Sequence, residues 1–256
     1  MPRITALSTV AFAGFPLSLA LEQIQARGFR AVELVEDGER CRHFEPGVGA
    51  TDAMRSLLRA TFLQPIALDY SDTDIGRIRA VILQCRSLGI VKLNVVPTAS
   101  GQPAKRGEEI GAAAKSLSDL ADYALDNGSR LTVDAPHSTG VLDTAERVGQ
   151  FFSHVTSAHL GITVDTRHGS TLKEFENLWA TAGPRIWHVR LDGHSIAALP
   201  LGQFAALLDR HAYRANVTVA LRRAGRSLSE IGNEIDASLR RLAAAGWQLP
   251  KTVQMS

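Results

Sequence analysis

The fold is decided by a stretch that begins with LGITVDT at residues 160–166. This short run of apolar and β-branched residues is typical of a buried strand. The segment behind it, TLKEFENLWATA at 171–182, repeats its apolar residues at helical spacing, and RIWHVRL at 185–191 forms a second buried run. A strand, an amphipathic helix and another buried strand in succession predict a parallel βαβ unit.

The same alternation extends in both directions over the rest of the chain. Strands are predicted at 4–12, 31–36, 65–70, 91–96, 129–135, 160–166, 185–191 and 216–221. Helices are predicted at 16–27, 51–63, 74–88, 107–127, 143–155, 171–182, 201–213 and 227–245. Eight such pairs without a break in composition predict an α/β fold, a single (β/α)₈ TIM barrel domain over residues 1–256. An open doubly wound sheet alternates in the same way, but the first turn, AFAGF at 11–15, lacks the glycine fingerprint of dinucleotide-binding sheets.

Composition narrows the classes of partner. A formal net charge of +2 gives no field that would favour nucleic acid, and no apolar stretch is long enough to cross a bilayer. The two cysteines, Cys41 and Cys85, are too few for a disulfide framework and predict reduced thiols. We therefore expect a cytoplasmic protein whose partner is a small molecule, with neither nucleic acid nor membrane involved.

Polar side chains gather at the predicted strand ends, which surround the active site in barrels of this kind. They are Glu33, Asp69, Asn94, Asp134, His137, Asp165, His168, His188, Arg190, Arg222 and Arg223. Burying such groups costs several kcal/mol unless they are paired or bound to metal. One interpretation is a satisfied ion-pair and hydrogen-bond network that closes the barrel. For Asp134, Asp165 and His168 taken together we favour a functional site.

The segment DTRH at 165–168 has a spacing with chemical meaning. A strand-end Asp165 is expected to point inward, and His168, three residues later, can return to the same pocket from the loop. Such a pair suits metal ligation, or an imidazole that a carboxylate orients for acid–base work. Alone, D-x-x-H is a weak motif.

Several segments taken in order resemble one known family. They are GFRAVEL at 28–34, LADYALDNG at 120–128, LGITVDTRH at 160–168, IWHVRLD at 186–192 and LPLGQF at 199–204. Together they are similar to the xylose-isomerase-like TIM barrels, which include sugar isomerases, sugar 3-epimerases and apurinic-endonuclease-like proteins. The resemblance covers nearly the whole chain and implies a role in carbohydrate metabolism, and by family likeness a homodimer.

The resemblance also implies a metal site, which this chain matches only in part. Metal-dependent members hold one divalent ion with Glu, Asp, His and Glu from the fifth to eighth strands. The first two positions correspond to Asp134 and Asp165. The third ligand is the second His of an H-x-H-x-x-D pattern; here His188 is kept, but Arg190 stands at the ligand position. The fourth position is Ala220.

These departures imply that the usual metal site is absent, so no cofactor is expected. Arg190 is a permanent cation, which would repel a divalent ion but would neutralise Asp134 and Asp165 beside it. The alternative is a shifted site for Mn, Zn or Mg, since oxygen and imidazole ligands suit such ions. Its ligands would be Asp134, Asp165, His137 and His168.

The favoured function is a sugar isomerase or epimerase that transfers a proton next to a carbonyl. Expected catalytic residues are Asp134, Asp165, His168, His188 and Arg190; expected substrate-binding residues are Glu33, Asp69, Asn94, His137, Arg222 and Arg223. The rival hypotheses are an inactive barrel that binds a carbohydrate-like ligand or a protein partner, and a lyase or hydrolase on the same scaffold. DNA repair is disfavoured, because the endonuclease-like members need a histidine-rich site for several metal ions.

The charge of the substrate is open at this stage. Arg222, Arg223 and Arg226 surround Gly225 after the eighth predicted strand, where barrels often bind phosphate. This arrangement favours an anionic substrate, a sugar phosphate or sugar acid. The alternative is that these arginines pair with neighbouring acids or are solvated.

Overall fold

The computed structural model describes residues 1–38, 40–97, 106–137, 140–169, 171–222 and 225–251. Within these ranges there are nine strands and nine α-helices. The strands are β1 (Ala6–Ser8), β2 (Ala31–Asp37), β3 (Cys41–Arg42), β4 (Gln64–Tyr70), β5 (Lys92–Val95), β6 (Arg130–Asp134), β7 (Leu160–Asp165), β8 (Ile186–Asp192) and β9 (Asn216–Ala220). The helices are α1 (Leu17–Ala26), α2 (Val48–Ala60), α3 (Ile75–Leu88), α4 (Arg106–Asp126), α5 (Ala145–His154), α6 (Leu172–Ala182), α7 (Gly193–Ala198), α8 (Leu201–Arg210) and α9 (Leu228–Ala244).

Eight of these strands form a closed parallel barrel, and the predicted (β/α)₈ TIM barrel is confirmed. Around the barrel the order is β1, β2, β4, β5, β6, β7, β8, β9 and back to β1. The ring closes at β1, where Leu7 is in register with Val32 on one side and with Val219 on the other. The short β3 lies outside the ring and pairs antiparallel with β2.

The first strand is shorter than predicted. A strand was expected over 4–12, but β1 ends at Ser8 and residues Thr9–Phe12 form a 3₁₀-helix. The cause is local, because the Ser8 hydroxyl accepts a hydrogen bond from the Val10 amide at 3.4 Å and caps the turn. The strand therefore ends four residues before the predicted boundary at residue 12.

Helix ends follow recognisable local chemistry. Thr171 with Glu174 and Ser227 with Glu230 form capping boxes that start α6 and α9. The six-residue α7 after β8 was not predicted; it starts where the Asp192 carboxylate accepts from the His194 amide. No helix in the described part of the chain has the length and apolar character needed to cross a membrane.

Part of the barrel interior is polar. Interiors of such barrels are mostly filled with branched aliphatic side chains, whereas here fully buried hydroxyls bond to one another across strands. Thr132 and Thr163 hydroxyls are 2.9 Å apart, and the Thr218 hydroxyl lies 2.8 Å from Nε2 of His188. This polar layer supports a second set of ionisable groups directly above it, at the carboxyl ends of the strands.

Candidate active site

Arg190 on β8 is the centre of the polar cluster. Its side chain is fully buried, and its Nη1 and Nη2 donate to the two carboxylate oxygens of Asp69 on β4 at 2.8 and 2.9 Å. Nη1 also lies 3.4 Å from Asp165, and Nε lies 3.5 Å from Glu33. Burial alone would lower the pKa of Arg190, but the surrounding carboxylates hold it well above its ordinary value. Its charge is therefore permanent.

A second guanidinium group, that of Arg222, contacts the same carboxylates as Arg190. Arg222, two residues beyond β9, donates from Nη2 to Asp69 at 3.1 Å and to Asp165 at 3.2 Å. Two arginines thus share two carboxylates. Burial would raise the pKa values of Asp69 and Asp165, yet the two guanidinium groups hold both below their ordinary value. Asn94 completes this part of the network by donating to Asp69 at 2.8 Å.

Glu33 and His188 occupy the floor of the cluster. The Ser8 hydroxyl donates to Glu33 at 3.1 Å, and His188 Nε2 lies 3.4 Å from the other Glu33 oxygen. Burial raises the pKa of Glu33 to about 7 in spite of Arg190, and burial lowers the pKa of His188 well below its ordinary value. The imidazole is therefore neutral at pH 7, and its contact with Glu33 is not an ion pair.

Asp134 at the end of β6 is set apart from the arginine pairs. Its side chain is 1% exposed, and its Oδ1 has no hydrogen-bond partner among the described residues. Burial raises the pKa of this carboxyl to about 7, against the attraction of Arg190 and with the repulsion of Asp165. Arg190 lies against Asp165, whereas among the described residues it attracts Asp134 only at longer range, and its shortest contacts are with Asp69 across the barrel.

Two imidazoles stand beside Asp134. The rings of His137 and His168 lie 4.2 Å apart between centroids, and donor atoms of both histidines and of Asp134 all fall within 4.8 Å of one another. Burial and the neighbouring Arg167 lower the pKa of His168 to about 4, and burial lowers the pKa of His137. Both rings are therefore neutral at pH 7.

Arg167 fixes the tautomer of His168 and was missed at the level of sequence. Its Nε and Nη2 lie 3.1 and 2.7 Å from His168 Nε2. Because a guanidinium only donates, Nε2 accepts and the ring proton resides on Nδ1. The DTRH segment contained the signal, since the arginine lies directly before the histidine. Asp165, expected to orient His168, instead faces the arginines and is not in the 4.8 Å group.

A cleft opens next to His168, between the amino ends of α5 and α6. Its volume is about 270 Å³. The lining residues are Pro136, Asp143, Thr144, Ala145, Glu146, His168, Glu174, Asn177 and Leu178. The cleft therefore gives His168 access to the outside, between three acidic side chains and a larger apolar surface.

Comparison with known proteins decides the family. The model of the xylose isomerase-like TIM barrel family matches residues 21–215, three quarters of the chain. The chain belongs to this family. A comparison with curated protein sequences found no match.

Solved structures agree with this xylose isomerase-like barrel over almost their whole length. D-psicose 3-epimerase crystallised with D-fructose is 15% identical, with a TM-score of 0.72 and coverage of 94% of this chain and 97% of that chain. The E. coli 3-keto-D-glucoside 4-epimerase YcjR is 12% identical, with a TM-score of 0.74 and coverage of 93% and 100%. The IOLI protein with a zinc atom is 15% identical, with a TM-score of 0.75 and coverage of 94% and 98%. At these identities the likeness shows the fold alone.

The family resemblance implied a metal site at the positions of Asp134, Asp165, Arg190 and Ala220. In this xylose isomerase-like barrel these four residues do not fit a metal ion. Asp134 and Asp165 offer carboxylates, but the Arg190 guanidinium lies against Asp165, and Ala220 is fully buried with no donor atom. A permanent cation in contact with one acid opposes a divalent ion there. Asp134, His137 and His168 are residue types that suit Zn or Mn, but His168 Nε2 already accepts from Arg167, whose charge would oppose an ion there.

The structure brings most of the predicted site residues together. The buried network holds Glu33, Asp69, Asn94, Asp165, His188, Arg190 and Arg222, with Asp134, His137 and His168 at its side. Arg223 lies outside the described residues. Arg226 forms an ion pair with Glu234 at 2.6 Å, so for Arg222 and Arg226 the pairing alternative is confirmed.

Proposed function

We propose that this protein is a carbohydrate isomerase or epimerase that moves a proton next to a carbonyl group with its own side chains, without the four-ligand metal site of the family. The observation that carries the proposal is Asp134. Its carboxylate is buried at the carboxyl end of a barrel strand, and one oxygen has no hydrogen-bond partner among the described residues. A buried carboxylate oxygen without a hydrogen-bond partner lowers the stability of the fold. Such a cost is expected where the group takes part in catalysis.

In this proposal Asp134 is the base. The bond from carbon to hydrogen next to the substrate carbonyl breaks, the proton passes to the carboxylate, and the electron pair moves toward the carbonyl oxygen to give an enediol-type intermediate. Return of a proton completes the isomerisation or epimerisation. A base with a pKa of about 7 suits abstraction at neutral pH, because about half of it is ionised there and it binds the abstracted proton strongly.

His137 and His168 are the groups placed to assist the carbonyl oxygen. Both are neutral and lie with Asp134 within 4.8 Å. A neutral imidazole that carries a proton donates a hydrogen bond to an oxygen on which negative charge develops. Arg167 holds the tautomer of His168, and in this proposal it acts as a positioning residue.

Arg190 and Arg222 are assigned a positioning role as well. Both terminal nitrogens of Arg190 already donate to Asp69, so they are engaged before any substrate arrives. In this proposal the two guanidinium groups keep Asp69 and Asp165 ionised and prevent their charge from raising the pKa of Asp134 further. The names of the fold relatives, sugar epimerases among them, support a carbohydrate as substrate.

The test is solvent isotope exchange. The protein is incubated in D₂O with D-psicose, D-fructose, D-tagatose and L-ribulose, and deuterium in the sugars is measured by mass spectrometry. We expect incorporation with at least one sugar and a loss of more than 100-fold in Asp134→Asn. The exposed Asp119→Asn on α4 is the matched control and should exchange at the parental rate. Equal exchange in both variants contradicts the role of Asp134. Sugar binding with no exchange in any protein supports the inactive carbohydrate-binding barrel.

A further inference from the structure

We infer that the amino end of the barrel carries a binding site for a small organic acid, and that Lys92 and Arg130 bind its carboxylate. The site lies at the opposite end of the strands from the candidate active site, and the inference does not depend on the proposed isomerase function. It is carried by the position of the two cations, by the charges that line a hollow beside them, and by the apolar walls of that hollow.

The two cations emerge side by side from the sheet. Lys92 and Arg130 are the first residues of the neighbouring parallel strands β5 and β6 and are in register with each other. Two residues further along, Thr132 and Asn94 are in register as well, and the Thr132 hydroxyl donates to Asn94 inside the barrel at 3.2 Å. Because side chains two residues apart in a strand point to the same face, Lys92 and Arg130 stand at the amino opening of the barrel. Like charges in such a pair repel each other.

The repulsion is not offset by contact with an acid. Among the described residues neither Lys92 nor Arg130 forms an ion pair, and Lys92 Nζ is not one of the enclosed polar atoms that lack a partner, so it reaches solvent. Burial lowers the pKa of Lys92 to about 8; Glu33 in the floor of the candidate active site opposes this shift without contacting Lys92, and Arg130 adds to it. An anion between the two cations would favour the charged form of Lys92 and relieve the repulsion.

A hollow with a volume of about 340 Å³ opens beside the two cations, and we call it the amino-end hollow. Its lining residues are Val91, Lys92, Leu125, Gly128, Ser129 and Arg130. A second hollow shares Val91, Leu125 and Gly128 with it and adds Arg86 and Asp126 as charged residues. The described lining of the two hollows therefore contains three cations and one carboxylate, a balance that favours an anionic ligand.

The carboxyl end of α4 borders the amino-end hollow and does not reverse this sign. A helix carboxyl end carries partial negative charge on its last carbonyl groups when these have no partner. Here the carbonyl oxygens of Ala124 and Leu125 accept from the amides of residues 127–129. In the described lining of the amino-end hollow, Lys92 and Arg130 are therefore the charged groups that an anion meets.

The class of anion follows from Arg130 and from the walls. The Arg130 guanidinium lies over the indole ring of Trp187, with Cζ 5.2 Å from the ring centroid. Stacking of this kind orients the plane of the guanidinium, whose N–H groups match the two oxygens of a carboxylate. Val91 and Leu125 are 44% and 37% exposed and offer apolar surface to a carbon chain. A carboxylate on a short apolar chain satisfies both features.

The experiment titrates the ¹⁵N-labelled full chain with sodium butyrate and follows the amide resonances by NMR. The comparison ligands are 1-butanol, which has the same chain without charge, and inorganic phosphate, which has charge without the chain. We expect saturable shifts at residues 125–130, with butyrate bound about ten-fold more tightly than 1-butanol. Lys92→Met and Arg130→Met should each weaken butyrate binding about five-fold. The matched control Lys115→Met removes the same charge from an exposed position on α4 and should leave the affinity unchanged.

Each result bears on the inference. Equal affinity for butyrate and 1-butanol overturns the role of the two cations, and tighter binding of phosphate than of butyrate overturns the assignment to an organic acid. The inference is also overturned by unchanged butyrate binding in Lys92→Met and Arg130→Met, or by the absence of saturable shifts at residues 125–130. The two variants test the site independently, so a loss of fold in one, visible in the same spectra, leaves the other as the test. None of these results changes the isotope exchange that tests the isomerase proposal.

Discussion

Arg190 and Asp69 form a bidentate ion pair across the interior of the barrel, with nitrogen-to-oxygen distances of 2.8 and 2.9 Å. The pair joins β8 to β4, two strands that are not neighbours in the sheet. Arg190 stands where relatives are expected to hold a metal ligand, and its charge is compensated from the far side of the barrel. The fixed charge of Arg190 therefore contacts Asp69 and Asp165 together.

Arg190→Leu should destabilise the protein strongly. The substitution removes the cation that contacts Asp69, Asp165 and Glu33, and removing one partner of a buried ion pair costs about 3–5 kcal/mol. The free energy of unfolding is measured in urea. Arg210→Leu is the control, because Arg210 is exposed and lies 3.9 Å from Glu176; its change should stay within about 0.5 kcal/mol. Equal losses of unfolding free energy in Arg190→Leu and Arg210→Leu would contradict the role of Arg190 as the cation that compensates the buried carboxylates.

Glu33 should make stability depend on pH in an identifiable direction. Burial raises the pKa of Glu33 from 4.5 to about 7, so the folded state holds this proton more tightly than the unfolded state. The contribution of Glu33 to the free energy of unfolding therefore falls as pH rises from about 4.5 to 7, and it is flat above that range.

Glu33→Gln has no carboxyl group at this position, so it lacks the pH-dependent contribution of Glu33 to the free energy of unfolding. The stability difference between Glu33→Gln and the parent should shift in favour of the variant by about 1–3 kcal/mol between pH 5 and pH 8. Urea unfolding at both pH values measures the shift. The exposed Glu45→Gln provides the control and should show no such dependence. A shift of the opposite sign would mean that Glu33 is ionised in the folded protein.

Gly161 on β7 is required by close packing. A Cβ atom at this position would lie 2.3 Å from the indole ring of Trp187, so the ring would have to move. Gly161→Ala should therefore lower the free energy of unfolding by about 1–3 kcal/mol. Gly111→Ala on α4 is the matched control, because no atom lies within 4 Å of the added carbon. Alanine there should stabilise the helix by about 0.5–1 kcal/mol. Comparable losses in both variants would contradict this packing.

The sequence predicted the barrel well because its signals are local. The helical period of 171–182 and the β-branched runs on either side are properties of short segments, and α6 begins and ends within one residue of the prediction. Misses have local causes too. The Ser8 cap ends β1 early, and α7 is too short to show a periodic pattern.

The site could be predicted as a set of residues but not as a set of contacts. Every described site candidate lies at the barrel mouth or directly below it, because strand ends define that position. The partner of Arg190 is 121 residues away in sequence, and no spacing rule selects Asp69 over Asp134. The contact between His137 and His168 joins the loop after β6 to a short 3₁₀-helix after β7, and neither segment is long enough to show a periodic pattern.

The most direct test of the account is isotope exchange by metal-depleted protein. The chain is dialysed against a chelator, its metal content is verified by elemental analysis, and deuterium incorporation into the sugar that the untreated protein exchanges is measured with and without added Zn²⁺ or Mn²⁺. We predict exchange at an unchanged rate without metal, dependent on Asp134. Exchange that disappears on chelation and returns with the ion, together with an ion bound stoichiometrically, would contradict proton transfer by side chains alone.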